Sequence, residues 1–332
     1  MQSGRLSCRV ILHRVNMVNP VYSIIPHKDI PELLMRCLKS IPVSEYIQVI
    51  VVDDNSPDAD TYLEKYPDLS RPYLEFIRAP RNGGAGYARN IGLNRAKGKW
   101  LMFADADDFF VKGMQEMLSP YFDSSFDVIY FRRKVVKSEN INCEVEKGIY
   151  LKKIIDNYFQ TGDEWTIRTG FNPPYAKMVR RDFVVRNRIR FEEVKYSNDC
   201  FFSTYIGIYA KTIEVVDKVL YYHTQRSGKI TNNYCQKPDE LRIRAEVHFN
   251  IDKFLMQNGM DRGLRQIKGY LKMMLNMDKP LFCYYFHYRL QEVYPSQWAA
   301  MKDLFKGASI KFKLHYVPYV LYQWLFGTIK TK

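Results

Sequence analysis

From residue 22 onward, the chain alternates between short continuous apolar runs and amphipathic stretches. Apolar residues at helical spacing predict helices, the clearest of them at residues 33–41 and 87–96. The continuous runs predict five buried strands, at residues 22–25, 49–52, 74–77, 100–104 and 128–131. Strands that alternate with helices are typical of βαβ units. The pattern therefore predicts an α/β fold with a mostly parallel central sheet.

The pattern weakens past residue 140. Helices are indicated at residues 151–159, 200–210 and 239–258, and a strand at residues 213–219. We therefore expect a helical C-terminal region after the sheet. Charges interrupt the apolar run near the N-terminus, so we expect no signal-peptide core there. The chain divides into residues 1–17 (a leader or disordered extension), 18–135, 136–235 and 236–332.

Acidic residues follow two of the predicted strands at the point where each strand ends. Asp53 and Asp54 follow the second strand, and Asp105 and Asp107 follow the fourth. Ligands of open α/β sheets bind at the carboxyl ends of the strands, so we expect the two acidic clusters to share one crevice.

Asp105 and Asp107 are two residues apart, and in an extended chain such residues point to the same side. Their carboxylates suit Mg²⁺ or Mn²⁺, which proteins hold partly through carboxylates and partly through substrate phosphates. The alternative is a solvated acidic turn that caps a helix. For Asp53 and Asp54, too, the alternative is a structural role in a turn or a helix cap.

A glycine-rich loop at residues 82–86 leads into the predicted helix that carries Arg89. The loop lacks the dinucleotide fingerprint, because Arg89 stands where the third glycine is required. No phosphate-binding lysine motif for ATP is present either. We expect Gly84 and Arg89 to lie beside a nucleotide at the start of the helix. The alternative places Arg89 on the protein surface.

Four ordered segments, at residues 22–26, 51–56, 82–93 and 103–108, resemble family 2 glycosyltransferases of the GT-A fold. The resemblance covers roughly residues 20–135. It implies a Rossmann-like sheet flanked by helices, with a helical C-terminal region. It also implies that residues 18–135 bind a nucleotide sugar, that residues 136–235 bind the acceptor and carry catalysis, and that residues 236–332 form the helical region.

The same resemblance assigns residues to the donor site. Asp54, with Asp53 beside it, matches the acid that binds the base. Asp105 matches the acid near the ribose, and Asp107 matches the metal-binding acid of the DxD motif. Pro26 begins the loop that covers the base.

His27, the next residue of that loop, and Lys28 occupy positions where family members usually have an aromatic or polar pair. The base is therefore less clearly indicated than the diphosphate, although a UDP-sugar is favoured.

The segment at residues 191–202 resembles the family block that carries the general base, which implies that Asp199 is the base. The sequence departs from the family at Asn198, where a glutamate is usual. Glu192 and Glu193 are competing candidates. Without the resemblance, Asp199 reads as an acid in the first turn of a helix, with Ser197 as its cap.

His223 and Arg226 lie in a segment that corresponds to the family segment folding over the diphosphate. The resemblance implies a metal or phosphate contact for His223 and a charge clamp for Arg226. The alternative for His223 is a structural histidine that follows a strand.

The expected reaction is an inverting, metal-dependent transfer from a nucleotide diphosphate sugar to a hydroxyl of a glycan or lipid-linked acceptor. A nucleotidyltransferase is an alternative, but it requires a glycine-rich loop with Lys or Arg directly after the first strand. This chain has Pro-His-Lys-Asp there, at residues 26–29. A catalytically inactive carbohydrate-binding relative is another alternative.

The formal net charge of +14 predicts attraction to polyanions. Nucleic acid is disfavoured as a partner because no binding motif is present and the acids gather in the crevice. Residues 310–332 combine lysines with aromatic residues, which suits peripheral contact with an anionic membrane; packing on the protein's own core is the alternative. Six dispersed cysteines fit a reduced compartment. We expect a cytoplasmic protein at the inner face of the cell membrane.

Overall fold

The computed structural model describes residues 20–145, 149–226, 235–260 and 266–326. The predicted leader at residues 1–17 lies outside the described residues. The described strands are β1 (Val21–His27), β2 (Ile47–Asp53), β3 (Leu74–Arg78), β4 (Trp100–Phe103), β5 (Phe109–Phe110), β6 (Val128–Lys137), β7 (Lys177–Arg180) and β8 (Ile213–Gln225). They form one sheet in the order β3-β2-β1-β4-β7-β6-β8-β5.

Helices flank this sheet and continue past it to the end of the described chain. They are α1 (Pro31–Lys39), α2 (Ala59–Lys65), α3 (Gly84–Arg95), α4 (Met114–Leu118), α5 (Ile149–Thr161), α6 (Glu164–Gly170), α7 (Arg181–Arg186), α8 (Cys200–Tyr209), α9 (Pro238–Gln257), α10 (Ile267–Met277), α11 (Lys279–Tyr284), α12 (Gln297–Phe305) and α13 (Ile310–Phe326). The α/β class and the helical C-terminal region are confirmed.

Strands β1 to β4 form a parallel half of the sheet. In it, β1 lies between β2 and β4, and β3 lies on the other side of β2. β4 is buried along its whole length, which explains its continuous apolar sequence. In register, His27 of β1 lies opposite Asp53 of β2, and Ile24 lies opposite Phe103 of β4. The acids after β2 and β4 therefore meet at one edge of the sheet, as the sequence predicts.

The other half of the sheet is mixed. β7 runs antiparallel to both β4 and β6, β6 is parallel to β8, and β5 is antiparallel to β8. The sequence did not predict β5 or β7. β5 has only two residues, and β7 begins with Lys177, a charged residue that interrupts the apolar pattern although it is fully buried.

Helix α3 begins earlier than its apolar pattern indicates. The predicted start is residue 87, but the helix begins at Gly84, which has a φ of +82° that favours glycine. Part of the glycine-rich loop is therefore the first turn of α3. The helix ends at Arg95, and the chain leaves it in an extended conformation at Ala96, the last residue of the predicted helix.

The C-terminal helices have a hydrophobic cluster of their own, distinct from the cluster around the sheet. Leu241, Phe249 and Leu271 are fully buried in it. Helix α13 adds Tyr316 and Val320, so one face of the C-terminal segment packs on the core. Within the described part of the chain, no helix combines the length and apolarity needed to cross a membrane.

Candidate active site

Asp53 and His27 form the floor of the crevice. His27 Nδ1 lies 2.8 Å from Asp53 Oδ2, and His27 Nε2 accepts a hydrogen bond from the Ile30 N–H at 3.2 Å, so the proton is on Nδ1. Ser56 donates to Asp53 through its backbone N–H and its hydroxyl, both at 2.7 Å. Burial alone raises the pKa of Asp53, but the hydrogen bonds from His27 and Ser56 hold it below its ordinary value. Asp53 is fully buried, so direct contact with a nucleotide requires the groups that cover it to move.

Asp54 shapes the wall of the crevice. Its carboxylate accepts the backbone N–H groups of Gly83 and Gly84, each at 2.8 Å. The end of β2 is thereby joined to the first turn of α3. Pro26, another predicted nucleotide contact, lies inside β1 opposite Val52, so the loop after β1 begins beyond it.

Helix α3 also holds the segment that precedes Asp199. A Cβ atom on Gly86 would lie 2.0 Å from the carbonyl oxygen of Glu192, so only glycine permits this close approach. The Asn90 amide donates to the Phe191 carbonyl and accepts from the Phe191 N–H, both at 3.0 Å. Asn90 therefore fastens this segment to α3, a role that the sequence pattern does not reveal.

Arg89 connects the two halves of the site. Its Nη2 donates to Asp105 Oδ1 at 2.7 Å, and its Nη1 donates to Asn198 Oδ1 at 2.8 Å. The residue is only 5% exposed, so the alternative of a surface arginine is wrong. Asn198, which replaces the usual glutamate of the family, is a neutral acceptor for the guanidinium.

Asp199 is the N-cap of α8 and directly follows Asn198, which accepts a hydrogen bond from Arg89. Within the described residues, no ion pair of 4 Å or less involves its carboxylate. Burial raises the pKa of Asp199 and the charge of Asp105 adds to this rise, while Arg89 and Lys177 oppose it. The alternative reading made Ser197 the cap of α8, but the N-cap is Asp199, and the Ser197 hydroxyl accepts a hydrogen bond from Arg244.

Lys177 is a functional candidate that the sequence did not indicate. Its Nζ donates to the Phe171 carbonyl at 2.6 Å and to Ser203 Oγ at 3.1 Å. Ser203 lies one turn beyond Asp199 on α8, and its N–H bonds to the Asp199 carbonyl. Burial lowers the pKa of Lys177 to about 7. A buried lysine thus supports the helix turn that carries Asp199.

Asp108 organises the opposite side of the crevice. It is fully buried, and it accepts from His223 Nδ1 at 3.0 Å, from the Tyr221 hydroxyl at 3.1 Å and from the Thr224 N–H at 2.8 Å. The Tyr221 hydroxyl also accepts the Asp105 N–H at 2.8 Å. Asp108 therefore has a structural role. The sequence alone did not distinguish it from Asp105 and Asp107.

Asp107 and His223 are the residues predicted to bind a metal ion. His223 donates one ring N–H to a carboxylate, which is the usual support of a metal-binding imidazole and directs Nε2 away from that partner. Asp107 Oδ2 accepts from Arg226 Nε at 3.1 Å. No group of three or more His, Cys, Asp or Glu side chains suited to a metal occurs among the described residues. The carboxylate of Asp107 is a suitable ligand for Mg²⁺ or Mn²⁺ that takes other ligands from phosphate and water, and the metal site stays a prediction.

The sheet and the crevice at its carboxyl edge define a GT-A fold. A crystal structure of Staphylococcus aureus TarS residues 1–349 in complex with UDP-GlcNAc has the same fold, with a TM-score of 0.55 and 20% identity. The similarity covers 94% of this chain and 93% of that one.

Residues 23–186 match the family model described as glycosyl transferase family 2, so this part of the chain is a domain of that family. TarS of S. aureus strain MW2, a poly(ribitol-phosphate) beta-N-acetylglucosaminyltransferase, is 27% identical over 251 residues, which are 72% of this chain. The chain spans only 41% of the length of that relative. YibD of Escherichia coli K12, named an uncharacterized glycosyltransferase, is 24% identical and covers 69% of this chain and 68% of its own length.

Proposed function

We propose that this chain transfers a sugar from a nucleotide diphosphate sugar, with UDP favoured as the nucleotide, to a hydroxyl of a glycan or lipid-linked acceptor. The observation that carries the proposal is the position of the Asp199 carboxylate. Asp199 directly follows Asn198, and Arg89 binds both Asn198 and Asp105 at the edge of the sheet where α/β proteins bind nucleotides. The TarS structure with UDP-GlcNAc supports the choice of donor class.

Asp199 is proposed as the general base. Its carboxylate takes the proton of the acceptor hydroxyl as that oxygen attacks the anomeric carbon, and the configuration inverts in a single displacement. Burial raises the pKa of Asp199, so its carboxylate is a stronger base than an exposed aspartate. The positive charge of Arg89 opposes that rise and favours the ionised carboxylate.

The donor is proposed to lie along the crevice from Asp54 and Gly84 to Asp107. Asp107 and His223 would hold Mg²⁺ or Mn²⁺, which when bound neutralises charge on the departing diphosphate. Arg226, paired with Asp107 through Nε, adds positive charge on the same side. Asp105 is held by Arg89 and by its own N–H to Tyr221, which suits a fixed acceptor of ribose hydroxyl groups.

A thermal-shift panel of nucleotide sugars with and without Mn²⁺ tests the donor. A true donor at a hundred times its Kd stabilises the fold by about 2.7 kcal/mol. We expect a UDP-sugar to raise the Tm with Mn²⁺ present, and EDTA to abolish the effect. UDP release in the presence of candidate acceptors then tests the transfer. A protein that binds no nucleotide sugar under these conditions is not a glycosyltransferase of this type.

A further inference from the structure

Helix α13 has two apolar faces, and only one of them is packed. Tyr316 and Val320 point into the C-terminal cluster. On the opposite side, a stripe of exposed residues recurs every three or four positions, which places them on one face at 100° per residue. This exposed stripe consists of Ile310, Leu314, Pro318, Tyr322 and Leu325.

The apolar residues of the exposed stripe are unusually accessible. Ile310 is 76% exposed, Leu314 is 75%, Tyr322 is 59% and Leu325 is 58%. A surface helix that packs only one face on the core normally has polar residues on its opposite face. The stripe therefore needs a partner that accepts apolar side chains.

Charge and aromatic residues around the stripe indicate which partner this is. Residues 304–332 contain five lysines and no acid. Lys311 and Lys313 are exposed near the start of α13. Trp298 of α12 and Trp324 lie with ring centroids 5.5 Å apart, both of them partly exposed. Exposed tryptophans beside lysines and an apolar stripe are the pattern of a helix that lies in a membrane interface.

We propose that α13 docks the protein on an anionic lipid surface, with the exposed stripe in the interface and its lysines at the headgroups. The lysines of this segment, which contains no acid, favour an anionic lipid surface over a second copy of the chain, whose matching face would carry the same charge. The proposal does not depend on the sugar donor or on the reaction.

Co-sedimentation with vesicles tests the proposal. We expect the protein to bind phosphatidylglycerol-containing vesicles but not pure phosphatidylcholine vesicles, with binding weakened by salt. Leu314→Ser with Leu325→Ser should weaken binding at least about tenfold, since each leucine loses its burial in the interface. Lys311→Gln with Lys313→Gln should weaken it about thirtyfold, from about 1 kcal/mol per lysine.

Point variants are preferable to a truncation of α13, because a truncation after Phe312 would also remove Tyr316 and Val320, which are buried in the C-terminal cluster. Leu63→Ser on α2 is the matched control, because Leu63 is an exposed leucine on another surface. It should bind vesicles like the wild type. Equal binding by the Leu314/Leu325 variant would overturn the proposal. So would a wild-type dimer in sedimentation velocity that this variant converts to monomer, because the stripe would then bind a second copy.

Discussion

The guanidinium of Arg89 lies between Asp105 and Asn198, and its Nη2 is 2.7 Å from Asp105 Oδ1. Asp105 lies just after β4, and Asn198 directly precedes Asp199. One buried side chain on α3 therefore sets the distance between the acid at the proposed donor site and the proposed base. Arg89 also lowers the pKa of Asp199, although burial outweighs it.

Arg89→Met should destabilise the fold by about 2–4 kcal/mol, because it removes one partner of a nearly buried ion pair. Urea unfolding measures this loss. Arg95→Met is the matched control on the same helix. Its guanidinium is 61% exposed and pairs with Glu75 at 3.5 Å, so it should change stability by less than about 1 kcal/mol. Equal effects of the two variants would contradict the structural role of Arg89.

Any residual activity of Arg89→Met should show a changed pH dependence. With the positive charge gone, the pKa of Asp199 rises further, so the acid limb of the kcat/KM profile should move to higher pH. An unmoved limb would show that Arg89 does not act on the base.

Asp107→Asn and Asp108→Asn distinguish the proposed metal-binding role of Asp107 from the structural role of Asp108. Asp107→Asn should reduce transfer at least about a hundredfold, because it removes a proposed metal ligand, and should lower the Tm less than Asp108→Asn does, because its ion-pair partner Arg226 is partly exposed. Asp108→Asn should lower the Tm, because its amide would face the Thr224 N–H or the donors from His223 and Tyr221. Turnover assays across a Mn²⁺ titration, with melting curves, measure both. A turnover of Asp107→Asn close to that of the wild type would contradict the proposal that Asp107 is a metal ligand.

Asp199→Asn should lower turnover about a hundredfold or more, with donor-induced stabilisation retained. Glu193→Gln is the control, since Glu193 is partly exposed and pairs with Arg81 at 3.2 Å. Glu192→Gln is the stronger competitor, because burial raises the pKa of Glu192 to about 7. An inactive Glu192→Gln beside an active Asp199→Asn would move the base to Glu192.

Lys177→Met should change how stability depends on pH. The pKa of Lys177 is about 7 in the folded protein and 10.5 ordinarily, so the unfolded chain binds the extra proton between these values. Wild-type stability should therefore rise relative to the variant by about 1.4 kcal/mol per pH unit across this window. Below pH 7 the folded wild type holds Lys177 protonated, so the stability of the variant relative to the wild type is greatest there. Urea unfolding at pH 7, 8 and 9 measures the difference, and a constant difference would contradict the burial of a titrating lysine.

The sequence by itself determined the parallel half of the sheet and its acidic edge. β1, β2 and β4 are buried and have continuous apolar runs, and each run ends at a turn, so the signals are local. The α/β class, the carboxyl-edge crevice and the helical C-terminal region all follow from such patterns. β5 and β7 were missed because they are short and because Lys177 interrupts the apolar pattern of β7.

The tertiary structure alone decided what each acid does. Asp53 and Asp54 are chemically identical neighbours, yet one is enclosed by His27 and Ser56 while the other binds the glycine-rich turn. The partners of Asp108 come from β8, more than 110 positions along the chain.

The same holds for Asn90 and for α13. Asn90 binds Phe191, 101 positions away, and the two apolar faces of α13 differ only in whether the C-terminal cluster covers them. Periodicity reports which residues are apolar, because that depends on the side chain alone. Which groups meet depends on how distant segments pack together, and the local pattern contains no information on that packing.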